Sequence, residues 1–173
     1  MNTANPLSEC LKLIAEIKQA DLNQPTEEDQ ALLKLKELSI IFINLNASER
    51  HQVLGDLPDN RCWLLLDLSC GAAEMAINTN DTSWIRVGIL AHIIEDFRID
   101  YRENTRRLVL IDYACRVMNI KLKEVVDAVN DAASERAGKG LSDFCSRPPA
   151  INDPALFGIK VENRDGKIKF MPL

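Results

Sequence analysis

The sequence predicts a mainly α-helical protein, a multi-helix bundle of helical hairpins that closes with a C-terminal β-hairpin. Apolar residues recur at helical spacing through most of the 173 residues. Short stretches rich in Gly, Pro and Asn separate these segments, and near the C-terminus the apolar period changes to two. Because a chain of about 100–200 residues usually builds one core, we expect a single domain over 1–173 with the hairpin of 157–173 docked on it.

Five helices are predicted in the first part of the chain. Thr26, which three acidic residues follow, is the predicted N-cap of the second helix, since negative charge is favourable in a first turn. Thr82 or Ser83 is the predicted cap of the fifth. The fourth is apolar enough to be buried. The predicted ranges are 7–19, 27–45, 48–54, 62–77 and 84–98.

Three further helices are predicted before the hairpin. Asp100 stands three residues before Glu103, the spacing of a capping box, so a helix should begin there and end at Asn119. Gly138 and Gly140 should interrupt the chain before the last helix, which stops ahead of two prolines. The predicted ranges are 100–118, 121–137 and a short helix that ends at 146.

The C-terminal segment has the pattern of a β-hairpin. Ile159 and Val161 alternate with charged residues, as do Ile168 and Phe170, and the pair Asp165-Gly166 lies between the two runs. An isolated hairpin is only marginally stable, so we expect these four apolar side chains to anchor it on the helices.

Two apolar segments resemble each other at a fixed offset. Residues 63–70 and 108–115 align with a spacing of 45, within the range of about 40–47 residues typical of HEAT and armadillo repeats. A solenoid usually needs three or more repeats, so two similarly patterned buried helices are the favoured explanation of the alignment. A HEAT-like arrangement is therefore an alternative form of the predicted bundle.

The charge of the chain is unevenly distributed. The formal net charge is −5, with 8 Lys and Arg against 16 Asp and Glu in residues 1–100, and 13 against 10 in residues 101–173. An acidic surface repels phosphate backbones, so nucleic acid is an unexpected partner and a basic protein is favoured. No apolar run approaches the roughly 20 residues that span a bilayer, so no membrane association is expected.

The cysteines predict a reducing compartment. They are five in number, widely spaced and never in a C-x-x-C pair, which argues against a disulfide framework and a zinc site. The N-terminus has no secretory pattern, so a cytoplasmic location is expected. Cys145 has no histidine near it in sequence, and we expect a structural thiol there.

One candidate metal site can be identified in the sequence. His92, Glu95 and Asp96 share a helix face at i, i+3 and i+4, and Gly88 on the same face would leave room beside them. A metal-dependent hydrolase is thus one functional alternative. The favoured interpretation of these residues is structural, since a catalytic metal usually takes about three ligands with second-shell support. With no nucleotide-binding or hydrolase motif in the chain, no cofactor is expected.

A charged corner is the favoured binding surface. Glu95, Asp96, Asp100 and Glu103 surround a predicted helix–helix junction, with arginines between them. These residues either form a salt-bridged corner that fixes two helices or face outward as an acidic patch for a basic partner.

Two carboxylates lie inside apolar runs and should need partners. These are Asp67 and Asp112, for which Arg86, Arg106 and Arg107 are the candidate ion-pair partners.

The chain from Trp63 onward resembles a group of small, uncharacterised helical proteins of bacteria. The resemblance rests on the run Glu95-Asp96-Phe-Arg-Ile-Asp100-Tyr-Arg, on the apolar helix after it, and on the segment from Phe157-Gly158 to Asp165-Gly166. It covers about 110 residues, implies the helical fold, and carries no catalytic residue with it.

Small, acidic, helical proteins also resemble the immunity proteins that protect bacteria from toxins of neighbouring cells. We therefore expect a cytoplasmic protein-binding protein and no enzyme, an immunity or antitoxin-type inhibitor that binds a basic toxin domain directly. The alternatives are the metal-dependent hydrolase and a HEAT-like scaffold.

Overall fold

The computed structural model describes residues 5–55, 63–95, 101–128 and 138–173. Within these ranges the chain forms α-helices, two short 3₁₀ segments and one antiparallel β-hairpin, which confirms the predicted fold class. The helices are α1 (Pro6–Ile17), α2 (Pro25–Asn44), α3 (Ala47–Gly55), α4 (Trp63–Thr79), α5 (Ser83–Glu95), α6 (Tyr101–Val117), α7 (Leu122–Ala128) and α8 (Gly138–Cys145). The 3₁₀ segments are Pro149–Asn152 and Pro154–Phe157, and the strands are β1 (Ile159–Arg164) and β2 (Lys167–Pro172).

Two predicted helix caps are wrong. Helix α2 begins at Pro25, before Thr26, because the fixed φ of proline suits a first helical position and its missing N–H costs nothing there. At the start of α5, Ser83 donates its backbone N–H (3.0 Å) and its hydroxyl (2.6 Å) to the Asp81 carboxylate. Asp81 therefore takes the capping role that was expected of Thr82 or Ser83.

Helix α3 begins with a reciprocal cap that the sequence analysis did not identify. The Glu49 N–H donates to Asn46 Oδ1 (2.9 Å), and the Asn46 N–H donates to Glu49 Oε2 (3.0 Å). This is the geometry of a capping box, with Asn in place of Ser or Thr. The predicted capping box of Asp100 and Glu103 lies outside the described residues and side chains.

Two helices are followed by an asparagine in the left-handed region: Asn80, with a φ of 50°, follows α4, and Asn119 follows α6. Asn119 has a φ of 57°, and Ile120 donates to the Cys115 carbonyl (2.8 Å) just after α6, which confirms Asn119 as the stop. Gly138 and Gly140 lie in the first turn of α8. Residues 129–137 of the predicted seventh helix lie outside the described ranges.

Helix α4 lies at the centre of the described part of the molecule. It packs against α5 and α6, and it also contacts α2 and strand β2. The close approach of α5 requires Gly88, because a Cβ there would lie 3.3 Å from Ile111 Cδ1 and 3.5 Å from the Ser69 carbonyl oxygen. The room that was expected beside Gly88 is therefore filled by α6 and α4. Helix α1 packs on the other side, against α2.

The β-hairpin has the predicted turn. Strands β1 and β2 pair with Arg164 opposite Lys167, and the two turn residues Asp165 and Gly166 have φ of 52° and 79°, as a type I′ turn requires. Phe170 meets the Tyr113 ring of α6 edge to face at 6.0 Å, and Ile159 is buried. The hairpin thus lies against α4 and α6.

No helix in the described ranges is long and apolar enough to cross a membrane. The single-domain organisation and the HEAT-like repeat stay predictions.

Candidate functional site

The residues of the predicted charged corner lie largely outside the described part of the chain. Asp96 and Asp100 fall between α5 and α6, and the side chains of Glu95 and Glu103, in those helices, are not described. His92 is buried in α5, at 2% exposure. Within the described residues, no three His, Cys, Asp or Glu side chains come together to hold a metal. The acidic patch and the metal triad both stay predictions.

Asp112 has a different ion-pair partner from those expected. Its carboxylate lies 3.2 Å from Arg116 Nε, one turn along α6, and Arg116 also donates to the Asn152 carbonyl oxygen (3.0 Å). Burial nevertheless raises the pKa of Asp112, and the charge of Arg116 opposes that rise only in part. Arg107 instead lies 3.5 Å from Cys70 Sγ. The side chain of Asp67 is outside the described set.

Cys145 has the properties of an unreactive thiol. It is half-buried, and burial together with the negative charge of Asp112 raises its pKa to about 11. A nucleophilic cysteine needs the opposite shift, toward the thiolate.

A concave surface lies between α2, α4 and β2, and we call it the α2–α4 groove. It encloses about 560 Å³, which is within the usual range for ligand sites of roughly 300–1,000 Å³. Apolar and charged residues line it together: Glu28, Asp29, Leu32, Leu33, Gly71, Glu74, Met75, Asn78, Thr79, Trp84, Lys167 and Lys169.

One wall of the groove is made where α4 meets strand β2. Asn78 donates its side-chain amide to the Ile168 carbonyl oxygen (3.1 Å) and accepts the Ile168 N–H at Oδ1 (2.7 Å). One turn earlier, Glu74 Oε1 accepts the Phe170 N–H (2.8 Å). Two polar side chains of a helix thereby replace the neighbouring strand that β2 would otherwise need. These bonds hold the hairpin at a fixed position beside α4.

Three carboxylates and two ammonium groups give the groove its electrostatic character. Lys169 Nζ lies 3.4 Å from Glu74 Oε2, so one charge of each sign is paired. Burial raises the pKa of the Glu28 carboxyl; Lys169 lowers it, while Glu74 and Asp29 raise it further. A carboxylate that is partly desolvated and lies near other acids gains from a cationic ligand.

The apolar part of the groove includes one strongly exposed side chain. Leu33, on the outer face of α2, is 62% exposed, whereas Leu32 beside it is buried. Lys36 lies over the Trp84 ring at 4.7 Å and pairs with Asp81 at 3.0 Å, which holds the end of the groove near α5 in place. The groove therefore combines an exposed aliphatic side chain with nearby carboxylates.

The groove was missed by the sequence analysis, although one signal of it is present. Glu74 and Asn78 are polar residues four positions apart in a mostly apolar helix, so they share one face of α4. Polar pairs on a buried helix need hydrogen-bond partners, and these two find them on the hairpin. The acids of α2 were interpreted only as a helix start.

Comparison of the chain with protein-family models, with curated proteins and with solved structures gave no match.

The described part of the groove has features that can bind a cationic side chain. It offers carboxylates that can accept from a Lys or Arg side chain, next to aliphatic surface that can pack on the methylene stem of that side chain. Lys and Arg side chains, each a methylene stem with a charged end, are common on protein surfaces.

Proposed function

We propose that this chain is a cytoplasmic protein-binding inhibitor of the immunity or antitoxin type, which neutralises a toxic effector by covering a basic surface of it. The observation that supports the proposal best is the α2–α4 groove, where Glu28 and Asp29 lie beside the exposed Leu33. A basic segment with an aliphatic neighbour complements both features.

The charge distribution supports the same kind of partner. Residues 1–100 contribute twice as many acidic as basic side chains, and both helices of the groove belong to that part of the chain. Complementary charge accelerates association of the two proteins and disfavours acidic competitors. The two lysines of β2 leave the groove with a smaller net negative charge than α2 and α4 would have alone.

The experiment measures binding to the toxin domain that the hypothesis specifies. The gene directly upstream should encode a large secreted protein, and its purified C-terminal domain is titrated with the full chain by calorimetry. Wild-type protein should bind it and restore growth of cells that express the domain. Asp29→Lys and Leu33→Asp, both at exposed positions, should each weaken binding by about tenfold or more, which is ~1.4 kcal/mol.

The matched control is Glu124→Lys, which makes the same charge change at an exposed position of α7 away from the groove. Its affinity should stay within about twofold of wild type. Equal losses for Asp29→Lys and Glu124→Lys would exclude the groove as the contact surface. Absence of binding and of growth protection would overturn the proposed function itself.

A further inference from the structure

The outward-pointing backbone groups at the two edges of the C-terminal hairpin have different surroundings. In a two-residue hairpin the pair next to the turn, Arg164 and Lys167, exchanges backbone hydrogen bonds, and the pairs then alternate. The N–H and C=O groups of Ile168 and Phe170 on β2, and those of Val161 and Asn163 on β1, therefore point away from the hairpin. Pro172, which has no N–H, occupies an outward-pointing position of β2, as expected.

The outer edge of β2 is closed by α4. Asn78 satisfies both backbone groups of Ile168, and Glu74 accepts from the Phe170 N–H. No further strand can add on this side, because the helix occupies the place where it would lie.

The outer edge of β1 is open. Within the described ranges, the outward N–H and C=O groups of Val161 and Asn163 have no hydrogen-bond partner. Asn163 is exposed and Val161 is half-exposed, and α4 lies on the opposite edge of the hairpin. A row of unpaired backbone groups is a template for another strand.

The exposed side chains beside the edge of β1 are mostly basic. Lys160 and Arg164 are 57% and 58% exposed and share one face of the hairpin, with Glu162 between them at 2.9 Å and 2.7 Å. Lys167 and Lys169 of β2 belong to the same face, because each lies opposite a residue of that set. The face is basic although the chain as a whole is acidic.

We propose that the open edge of β1 binds an extended acidic segment of another protein, which adds to the hairpin as a third strand. Its backbone pairs with Val161 and Asn163. Acidic residues four positions apart lie opposite Lys160 and Arg164, and a basic residue midway between them lies opposite Glu162. A second copy of β1 is a poorer occupant, because it would bring the basic faces of two hairpins together.

The open edge of β1 lies on the opposite edge of the hairpin from α4 and does not depend on the proposed inhibitor function, although Lys167 and Lys169 of the same basic face also line the α2–α4 groove. The probe is the blocked peptide Thr-Glu-Thr-Lys-Thr-Glu-Thr, and its charge-reversed counterpart is Thr-Lys-Thr-Glu-Thr-Lys-Thr. Each is titrated into the full chain at low ionic strength, and backbone amide shifts are followed by NMR. The first peptide should bind at least tenfold more tightly than the second, with the largest shifts at the Val161 and Asn163 amides.

Two variants separate backbone pairing from charge. Val161→Pro removes one outward N–H and leaves the β1–β2 ladder bonds in place, so it should weaken peptide binding at least tenfold, whereas Val161→Thr should bind as wild type does. The double variant Lys160→Glu, Arg164→Glu keeps every backbone donor and should invert the preference between the two peptides.

Three results would overturn the proposal. The first is equal affinity for both peptides, and the second is unchanged binding by a folded Val161→Pro protein or by the double charge variant. The third is a wild-type chain that is dimeric by sedimentation equilibrium while Val161→Pro is monomeric, since a second copy would then occupy the edge.

Discussion

Several polar side chains in this protein form hydrogen bonds to backbone groups that secondary structure leaves unpaired. Asp81 is the clearest case, because its carboxylate accepts from Ser83 at the start of α5 and pairs with Lys36 of α2, which in turn covers the Trp84 ring. One side chain thus joins a helix start to a neighbouring helix. Glu74 and Asn78 do the same for the edge of β2.

The pKa of Asp81 makes this role measurable. Hydrogen bonds from the Ser83 hydroxyl, from Lys36 and from the Ser83 N–H lower the pKa of the carboxyl to about 2. Because the folded-state pKa lies below the unfolded value of 3.8, the ionised group stabilises the fold above pH 3.8, and this contribution disappears as the pH falls through 2.

Asp81→Asn should therefore lower the free energy of unfolding by a constant amount at neutral pH, and the difference from wild type should shrink between about pH 4 and pH 2. Urea unfolding at a series of pH values measures it. Asp165→Asn makes the same substitution at an exposed turn position and is the matched control. A wild-type-minus-variant difference that is independent of pH would contradict the assigned role.

Among the elements, α4 and α5 determine how closely the bundle packs. Helix α4 contacts α5, α6, α2 and β2, and its buried small residues, such as Ala72, Ala73 and Ala76, allow neighbours to approach. Helix α5 makes its own close approach through Gly88, against Ile111 of α6. Small side chains at these positions decide the distances between helices.

Gly88→Val should destabilise the protein by about 1–3 kcal/mol, because its branched side chain must displace Ile111 and meets the Ser69 carbonyl oxygen. Arg86→Val puts the same side chain at an exposed position of α5 and should cost no more than about 0.7 kcal/mol, through helix propensity alone. The midpoint of urea denaturation reports both. Equal costs for the two variants would mean that the α5–α6 contact tolerates the added volume.

At the scale of the whole molecule, the fold places basic residues from the end of the chain beside acidic residues from its beginning. Lys167 and Lys169 line the groove with Glu28, Asp29 and Glu74, although about 90 or more residues separate β2 from α4 in sequence. The hairpin is thus held by hydrogen bonds, apolar contact and opposite charge together.

The double variant Lys167→Glu, Lys169→Glu should lower stability by on the order of 1 kcal/mol at low ionic strength, since five acidic side chains would then face one another. The loss should largely disappear in 1 M salt, where the Debye length is about 3 Å. Lys18→Glu, Lys121→Glu makes the same change in net charge away from the groove and is the control. If both double variants lose the same stability, net charge rather than the local arrangement is responsible.

Local sequence was sufficient to predict the α-helices and the hairpin of the described residues, though not the two 3₁₀ segments, while tertiary contacts decided the surfaces. Apolar periodicity predicted the helices, and the Asp165-Gly166 turn with its alternating flanks predicted the hairpin, because both depend on near neighbours in the chain. The caps were less predictable: the Asp81 carboxylate, which accepts from Ser83 and also pairs with Lys36, takes the capping role expected of Thr82 or Ser83.

The crowding at Gly88 and the groove itself could be determined only from the tertiary structure. Both depend on which residues distant in sequence come within contact distance, and that is a property of helix packing rather than of any local pattern. The partner of Asp112, by contrast, is its i+4 neighbour Arg116, a local pair that helical spacing could have predicted. The difference between the hydrogen-bonded edge of β2 and the open edge of β1 also comes from helix packing. Alternation predicts two equivalent edges, and the position of α4 beside β2 closes one of them and leaves β1 open.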